Sequence, residues 1–266
     1  MSIDIPSMLV GMKNGSPVGK DIKSFLIGKA VGGSPVPTYD QWATDSWETI
    51  RAVSKAGLTA EAYGNQVGAT RDITLTDDTV MTLRLANATT DMYDRVGESG
   101  KTGLIVEFKD CFPDKTSMNS GNSNAGGWNA TIMRTETMGQ LLDLLPSDLK
   151  SVIATVGIKT ANGGSDATEV VTSSDKLFLP AEYEVFGART NSWQTECDSL
   201  TRWKYYADNT AASSRYKKIG GTTTVWWLRS PNNSYTTTFV GVNASGASIG
   251  ILKGAALNAV SPAFCI

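Results

Sequence analysis

The residue types that could carry out chemistry in this chain are carboxylates and thiols, because its 266 residues include no histidine. A histidine general base, a histidine metal ligand and a Ser–His–Asp triad are therefore excluded for this chain. The acids that come closest to a catalytic pair are Glu182 and Glu184. Residues two apart on a helix point to different faces, so these two carboxylates do not converge. The sequence thus predicts no enzymatic activity and no cofactor.

The thiols show no redox or metal-binding pattern. Cys111, Cys197 and Cys265 lie far apart, and none belongs to a CxxC motif. Each lies among apolar or aromatic residues, which predicts buried free thiols. A disulfide between two of the three is the alternative.

A polar loop over residues 113–128 offers oxygen atoms that a hard cation could bind. Asp114, Asn119, Asn122 and Asn124 are its candidate calcium ligands. Most of them are neutral, and the loop lacks the acid-rich spacing of calcium-binding loops. The sequence therefore predicts no metal site.

The charge of the chain is uneven, although its net value is only −2. From Thr201 onward there are seven Lys or Arg residues and one acid, Asp208, whereas acids outnumber bases before that position. The basic residues are scattered and form no block, which favours a solvated face over a nucleic-acid surface. No stretch of about 18 apolar residues predicts a membrane span.

The composition of the chain divides it near residue 45. Residues 1–44 are rich in Gly, Pro and Ser, which is typical of an arm or linker for attachment or assembly. Apolar islands at 8–10 and 25–27 are its candidate points of attachment, and plain disorder is the alternative. Residues 45–266 are predicted to form the binding domain.

Hydrophobic spacing predicts short helices and strands along the first part of this domain. The first helix begins at a capping-box-like Asp45 and Glu48 and ends at Gly57. The other predicted elements are a hairpin over 73–85 with its turn at Asp77–Asp78, a strand at 104–108, helices at 129–145 and 147–156, a strand at 176–179 and a helical turn from Pro180 to Phe186.

Two apolar segments, 225–231 and 260–266, have the pattern of buried strands and enclose about thirty small or polar residues. Between them, a strand at 238–242 turns at Ala244–Gly246 and returns at 247–252. Arg229, buried in the first segment, would need a carboxylate or several carbonyls as partners. The residues assigned to the core are Trp226, Trp227, Phe239, Phe264 and Ile266.

The polar residues between these strands are the candidate ligand-binding surface. Small polar and aromatic side chains on a rigid scaffold provide adaptable contacts. Aromatic residues between 191 and 220 either stack on a ligand or, more commonly, cover a core. The candidate binding residues are Asn232, Asn233, Tyr235, Thr237, Asn243, Ser248, Trp193 and Tyr216.

Short motifs follow one another along residues 46–266: the Ser46–Trp47 helix ending at Gly57, Gly126–Trp128, Leu144–Leu149, Lys176–Leu179, Glu182–Gly187, Trp226–Pro231 and Ser261–Ile266. As an ordered set they resemble an uncharacterised domain family of gut bacteria and their phages. That family is similar to the C-type-lectin-like fold in the version shared with formylglycine-generating enzymes. The resemblance implies an α+β domain with small twisted antiparallel sheets, flanking helices, long irregular loops and a ligand face near the C-terminal end.

The sequence also resembles variable proteins that are diversified by phage and bacterial retroelements. Such diversification favours Asn, Ser, Thr, Tyr, Gly and Ala, which make up much of 232–258. A Thr- and Ser-rich β-surface has the same composition and is the alternative. Formylglycine-generating enzymes need a cysteine pair near the C-terminus, but here Cys265 is near it and Cys197 is far from it, so their activity does not carry over.

The resemblance implies a non-enzymatic phage virion surface protein, such as a tail or fibre adhesin or a head decoration. The arm would bind other virion proteins, and the domain would bind a bacterial surface glycan or protein. A location on the bacterial cell surface is the alternative, and so is a purely structural decoration or cement protein. A homo-oligomer is expected, with a trimer as the candidate state, although no coiled-coil heptad supports it.

Overall fold

The computed structural model describes residues 41–165 and 169–266, together with the backbone of Met12–Lys13 and Ser16–Pro17, which pair antiparallel. The other residues of the predicted arm before residue 41, including the islands at 8–10 and 25–27, lie outside the described residues. The described chain is α+β, with short helices and small antiparallel sheets, which confirms the predicted class. Within it, no helix is both long and apolar enough to cross a bilayer.

Glycines, prolines and polar runs divide the chain into short elements joined by long loops. The helices are α1 (Trp47–Lys55), α2 (Thr59–Tyr63), α3 (Met138–Asp143), α4 (Ser147–Val152), α5 (Glu182–Phe186), α6 (Gln194–Cys197) and α7 (Lys204–Asp208). The strands are β1 (Thr70–Thr74), β2 (Val80–Asn87), β3 (Tyr93–Asp94), β4 (Lys101–Thr102), β5 (Ile105–Phe108), β6 (Val156–Ala161), β7 (Val170–Asp175), β8 (Leu177–Phe178), β9 (Lys218–Ile219), β10 (Thr222–Thr223), β11 (Trp226–Pro231), β12 (Thr238–Val242), β13 (Ser248–Lys253) and β14 (Ala263–Cys265).

The first helix forms as predicted, but its N-cap is Ser46 rather than Asp45. The Ser46 Oγ accepts the Thr49 N–H at 3.1 Å. Asp45 instead accepts the hydroxyl of Tyr63 at 2.8 Å. Gly57 follows the helix with a φ of 69°, a left-handed conformation that glycine adopts without a Cβ penalty.

The predicted hairpin is confirmed as the antiparallel pair β1 and β2. Its turn contains Asp78, whose φ is 68°, and the Asp77 carboxylate accepts the Thr79 N–H at 3.0 Å. The hairpin is one side of a five-stranded sheet with the order β8-β14-β5-β2-β1. The last strand of the chain, β14, therefore lies inside the sheet rather than at its edge.

The predicted strand at 104–108 is confirmed as β5, but its polar residue is not exposed. Glu107 is 1 % exposed and accepts from Arg84 at 2.7 Å, Lys217 at 3.0 Å and the Tyr206 hydroxyl at 2.8 Å. Burial alone would raise a carboxyl pKa, but the two cations outweigh it and hold the pKa of Glu107 below its ordinary value. β5 is therefore buried on both faces, because charged partners from other elements cover its one polar side chain.

The predicted helix at 129–145 is divided in the structure. A 3₁₀ turn covers Trp128–Ala130, a π-helical turn covers Met133–Thr137, and α3 follows. The division occurs at Thr131, which is extended with φ −76° and ψ 146°. Its Oγ1 accepts the Arg134 N–H at 3.1 Å, so Thr131 starts a new helical segment.

The predicted helix at 147–156 is four residues too long. It ends at Val152, because Ile153 is extended with φ −61° and ψ 122°. The Ala154 N–H then donates to the Cys265 carbonyl at 2.9 Å. Val156 and Gly157 lie in β6, so Gly157 does not end a helix.

The packed domain includes residues that composition assigned to the arm. Trp42 is fully buried, and its backbone N–H donates to Gln66 Oε1 at 2.8 Å. The Arg71 guanidinium lies 3.9 Å from the Trp47 ring centroid and 5.9 Å from that of Trp42. Trp42 therefore packs against the folded domain, although composition places it in the arm.

The C-terminal segments form β11 and β14, which are buried throughout, as predicted. β11, β12 and β13 make a three-stranded antiparallel sheet. Asn243 Oδ1 accepts the N–H groups of Ser245 at 3.0 Å and Ala247 at 2.9 Å, which confirms the predicted turn. The predicted core residues are all fully buried: Trp226, Trp227, Phe239, Phe264 and Ile266.

Glu107→Gln should strongly destabilise the protein, because it leaves Arg84 and Lys217 buried without a counter-ion. We expect the free energy of unfolding to fall by about 3–5 kcal/mol, measured by urea denaturation. Asp208→Asn removes an exposed carboxylate paired with Lys204 and is the matched control. It should change stability by less than about 1 kcal/mol, and an equal loss in both variants would contradict the assignment.

Candidate ligand-binding face

The residues from 232 to 237 form a loop, and the buried side chain of Asn124 forms hydrogen bonds to its backbone. This side chain is fully buried, and its Nδ2 donates to the carbonyls of Asn232, Tyr235 and Thr238 at 3.3, 3.0 and 2.8 Å. Its Oδ1 accepts the Gly164 N–H at 2.8 Å. The Asn124 side chain therefore holds both ends of the loop against the rest of the domain.

Asn232 is predicted to contact ligand, but its side chain is buried and hydrogen-bonded within the protein. It is 2 % exposed, and its Oδ1 accepts the N–H groups of Ser234 at 2.7 Å and Tyr235 at 2.9 Å. Its Nδ2 donates to the Gly250 carbonyl on β13 at 2.9 Å. Both ends of the amide are used: its oxygen accepts from the turn after β11, and its nitrogen donates to β13.

A second loop, 190–193, folds around the carboxylate of Glu182 and donates hydrogen bonds to it. That carboxylate is fully buried and accepts the N–H groups of Asn191 at 3.0 Å and Ser192 at 2.8 Å. The Ser192 hydroxyl donates to it at 2.6 Å, and the Ser248 hydroxyl on β13 donates to its other oxygen. The negative charge of Glu182 thus orders this loop against the sheet.

The two loops are joined to each other. The Asn233 N–H donates to the Asn191 carbonyl at 2.9 Å, and its Nδ2 donates to the Ser192 carbonyl at 3.0 Å. The Trp193 Nε1 donates to the Asn232 carbonyl at 3.2 Å. We call residues 190–193 and 232–237, with Ser248, the polar face.

The predicted binding residues are only partly brought together by these contacts. Tyr235 is 59 % exposed and Thr237 is also exposed, so both can meet a ligand. Tyr216 is exposed at a different place, where its ring lies against the turn at Gly246. The remaining predicted residues are half-buried and hydrogen-bonded within the protein: Asn233, Asn243, Ser248 and Trp193.

Arg229 is fully buried and, of the two alternatives expected for it, a carboxylate or several carbonyls, its main partner is a carboxylate, that of Glu184. Its Nη1 and Nη2 donate to the two Glu184 carboxylate oxygens at 2.6 and 2.7 Å. The Tyr93 hydroxyl donates to the same carboxylate at 2.5 Å and accepts from the Trp203 Nε1 at 3.2 Å. Trp203 therefore covers the core, as expected for most aromatics in this region.

Sequence reasoning missed another buried carboxylate beside this ion pair, Glu196 on α6. It accepts the Ala161 N–H at 3.0 Å and the Ser230 hydroxyl, while the Ser230 Oγ accepts the Glu182 N–H at 3.0 Å. Burial raises the pKa of Glu196 to about 7, and Arg229 only partly opposes this. The sole signal in the sequence is its position beside the buried Cys197.

The amides of the polar loop at 113–128 are used by the protein itself. Asn119 Oδ1 accepts the Ile132 N–H at 3.1 Å, and Asn122 Oδ1 accepts the Ala255 N–H at 3.2 Å. The Asn124 side chain is bonded to backbone carbonyls of 232–238 and to the Gly164 N–H. Within the described residues, no cluster of three or more acids, cysteines or histidines could hold a metal ion.

The cysteines are buried free thiols, as predicted. Burial raises the pKa of Cys111 to about 12 and that of Cys197 to about 11, and it raises the pKa of Cys265 further. The thiolate is the nucleophile in cysteine chemistry. Burial therefore favours the protonated form of these three thiols at neutral pH.

The raised pKa of Glu196 should make the protein less stable as pH rises from about 4.5 to 7. The folded state has a pKa of about 7 and the ordinary value is 4.5, so the folded protein binds the proton more tightly. The stabilisation that protonated Glu196 gives the folded protein is fully present below about pH 4.5. It is lost as pH rises to about 7, which lowers the free energy of unfolding by about 3 kcal/mol. Glu196→Gln should abolish this part of the pH dependence in urea denaturation.

The matched control for Glu196 is Glu136→Gln, because Glu136 is exposed. This variant should keep the wild-type dependence of stability on pH. If Glu196→Gln also kept the full dependence, the assignment of the titrating group would be wrong.

Asn124→Ala should loosen the loop at 232–237 by removing the amide that binds three carbonyls. We expect a loss of about 1–3 kcal/mol in the free energy of unfolding, measured in guanidinium. Asn129→Ala, at an exposed asparagine that directly follows the polar loop at 113–128, should change stability by less than about 0.5 kcal/mol. Equal effects of the two variants would show that Asn124 does not hold the loop.

Comparison with known proteins assigns a family but no activity. No curated protein and no solved structure matches the chain significantly. Residues 102–266 match a family described as Domain of unknown function (DUF6273). The match begins at β4 and includes both loops of the polar face and every strand of the C-terminal sheet. Because it covers more than half of the sequence, the chain belongs to this family.

Proposed function

We propose that the protein is a non-enzymatic ligand-binding protein of a phage particle that presents the polar face to a bacterial surface glycan or protein. The observation that carries this proposal is the loop at 232–237. Its exposed side chains, Tyr235 and Thr237 among them, stand on a backbone fixed by Asn124 and Asn232. A rigid backbone lowers the entropic cost of binding, and Tyr and small polar residues provide adaptable contacts.

The buried acids support a binding role over an enzymatic one. Glu107 and Glu184 each form ion pairs within the protein, and Glu182 and Glu196 accept several hydrogen bonds. A general acid or base needs a free position directed at a substrate. These four carboxylates instead use their oxygens to hold backbone and side chains in place.

The resemblance of the sequence motifs to domains of phages and gut bacteria is the reason for locating the protein on a virion. In this proposal residues before Trp42 attach it to other virion proteins, the domain has a C-type-lectin-like architecture, and several copies assemble together. Retroelement diversification would be confined to exposed positions such as Ser234, Tyr235 and Thr237. Asn232 and Thr238 would stay constant, because their side chains bond to the Gly250 carbonyl.

Tyr235→Ala combined with Thr237→Ala should weaken binding of the purified protein to intact host cells by about tenfold or more, the effect of losing a central contact. Both side chains are exposed, so the fold should remain intact. The control is Val80→Ala combined with Leu257→Ala, two exposed residues outside the polar face. Cell binding is measured by pull-down over a range of protein concentrations.

Equal binding by the two double variants would contradict the proposed face. If the unmodified protein binds virions but no host cell, the adhesin proposal fails and a decoration or cement role takes its place.

A further inference from the structure

An apolar cavity lies beside the turn of the β1–β2 hairpin and shares no residue with the polar face. Its volume is 320 Å³, near the lower end of the range of about 300–1,000 Å³ for small-molecule sites. The apolar residues that line it are Leu75, Phe112, Pro113, Leu141, Leu144 and Val260. Polar side chains complete the lining, so the cavity has the mixed character of a site for an amphipathic small molecule.

Backbone hydrogen bonds join the walls of this cavity. The Thr76 N–H donates to the Leu144 carbonyl at 2.8 Å, which connects the hairpin turn to the end of α3. The Phe112 N–H donates to the Val260 carbonyl at 2.9 Å on another side of the cavity. The shape of the cavity is therefore formed before a ligand arrives, which lowers the entropic cost of binding.

The charged residues in the lining are both acids. Asp77 and Asp114 are exposed, and no Lys or Arg of the described chain lines the cavity. Neither acid forms an ion pair with another described residue. The Asp77 carboxylate accepts the Thr79 N–H at 3.0 Å, which holds the pKa of Asp77 below its ordinary value. The lining therefore attracts a cation and repels an anion.

The residues next to the lining in sequence do not reverse the sign of its charge. Those that carry a charge are three acids and one base: Asp78, Glu136, Asp143 and Lys115. Asp143 has Lys150 at 3.6 Å as its partner. Even with Asp143 set aside, the acids outnumber Lys115, so the surroundings of the cavity remain negative.

The helical wall of the cavity also favours a cation. Thr137, Gln140, Leu141 and Leu144 have the spacing i, i+3, i+4 and i+7, so they share one side of the helix. Leu144 lies at the C-terminal end of α3, where the carbonyl groups carry a partial negative charge. Gln140 is exposed on this wall, so its side chain can be changed without disturbing the core.

We propose that this cavity binds a free primary amine in its ammonium form, carried on a short apolar stem. The stem packs on the apolar residues of the lining, and the ammonium group is attracted by Asp77 and Asp114. The three N–H donors of a primary ammonium suit the carboxylate, hydroxyl and amide oxygens that the lining offers. A quaternary ammonium prefers a cage of several aromatic rings, whereas the aromatic residue of this lining is Phe112.

The test is a titration of the isotope-labelled full chain with pentylammonium chloride, followed by amide chemical shifts, with sodium chloride at equal ionic strength as the reference. Saturable shifts are expected at lining residues such as Thr79, Phe112 and Leu141. Methylammonium should bind at least about tenfold more weakly, because each buried methylene raises the affinity by about fourfold. 1-Pentanol should bind at least about threefold more weakly than pentylammonium, because it lacks the charge.

Charge changes at the cavity should alter the affinity for pentylammonium in a fixed order. Gln140→Glu should tighten binding and Gln140→Lys should weaken it, each by about twofold to fivefold, the usual strength of an exposed charge pair. Asp114→Asn should weaken binding by a similar factor.

The matched control is Asp208→Asn, which makes the same change as Asp114→Asn at an exposed aspartate outside the cavity lining. Its affinity for pentylammonium should equal that of the unmodified protein. The thermal unfolding midpoint of each variant separates a loss of folding from a loss of binding. The proposal is overturned if pentylammonium gives no saturable shifts in the lining, if 1-pentanol binds as tightly, or if the two Gln140 variants bind alike.

A lysine side chain of a partner protein is the other source of an ammonium group on an apolar stem. Nα-acetyl-lysine methylamide presents such a side chain and should bind more weakly than pentylammonium, because its two amide groups must also be accommodated at the cavity. Tighter binding of this compound would identify a protein partner and contradict the assignment to a free amine.

Discussion

The buried ion pair between Glu184 and Arg229 is the interaction on which the rest of the structure depends. Removing both charges from water is costly, and the cost is offset only when nearly every polar atom finds a partner. Here the carboxylate accepts from Arg229, from the Tyr93 hydroxyl and from the Ala181 N–H at 2.8 Å. Arg229 also donates to the Leu179 carbonyl at 2.9 Å. The pair thereby fixes α5 against β11 and against β3.

The polar face is an extension of the same helix. Glu182 and Glu184 lie two apart on α5 and point to different sides, so one carboxylate faces the core and the other gathers the loop at 190–193. Asn124 provides the equivalent support for the loop at 232–237 from a distant part of the chain. The backbone of the face is held by hydrogen bonds to buried groups. Its exposed side chains do not hold the backbone, so they can contact a ligand.

Local patterns were sufficient where neighbours in sequence decide the structure. The turn in the β1–β2 hairpin and the turn after Asn243 were predicted, whereas Glu184, 45 residues from Arg229, was not identified as its partner. The failures involve contacts between distant residues. Glu107 lies in the strand predicted at 104–108, but the sequence does not identify Arg84 and Lys217 as its partners. Asn232 was predicted to contact ligand, but its Nδ2 is used by the Gly250 carbonyl on another strand. No periodicity in the sequence encodes such pairings.

The most direct test of this account is amide hydrogen exchange in a Glu184→Gln variant, compared with the unmodified protein. Arg229 then remains buried without a counter-ion. If the ion pair organises the domain, protection should fall together in β11, in the loop at 190–193 and in residues 232–238. A loss confined to α5, with both loops of the polar face protected as before, would contradict the claim that the core pair supports the face.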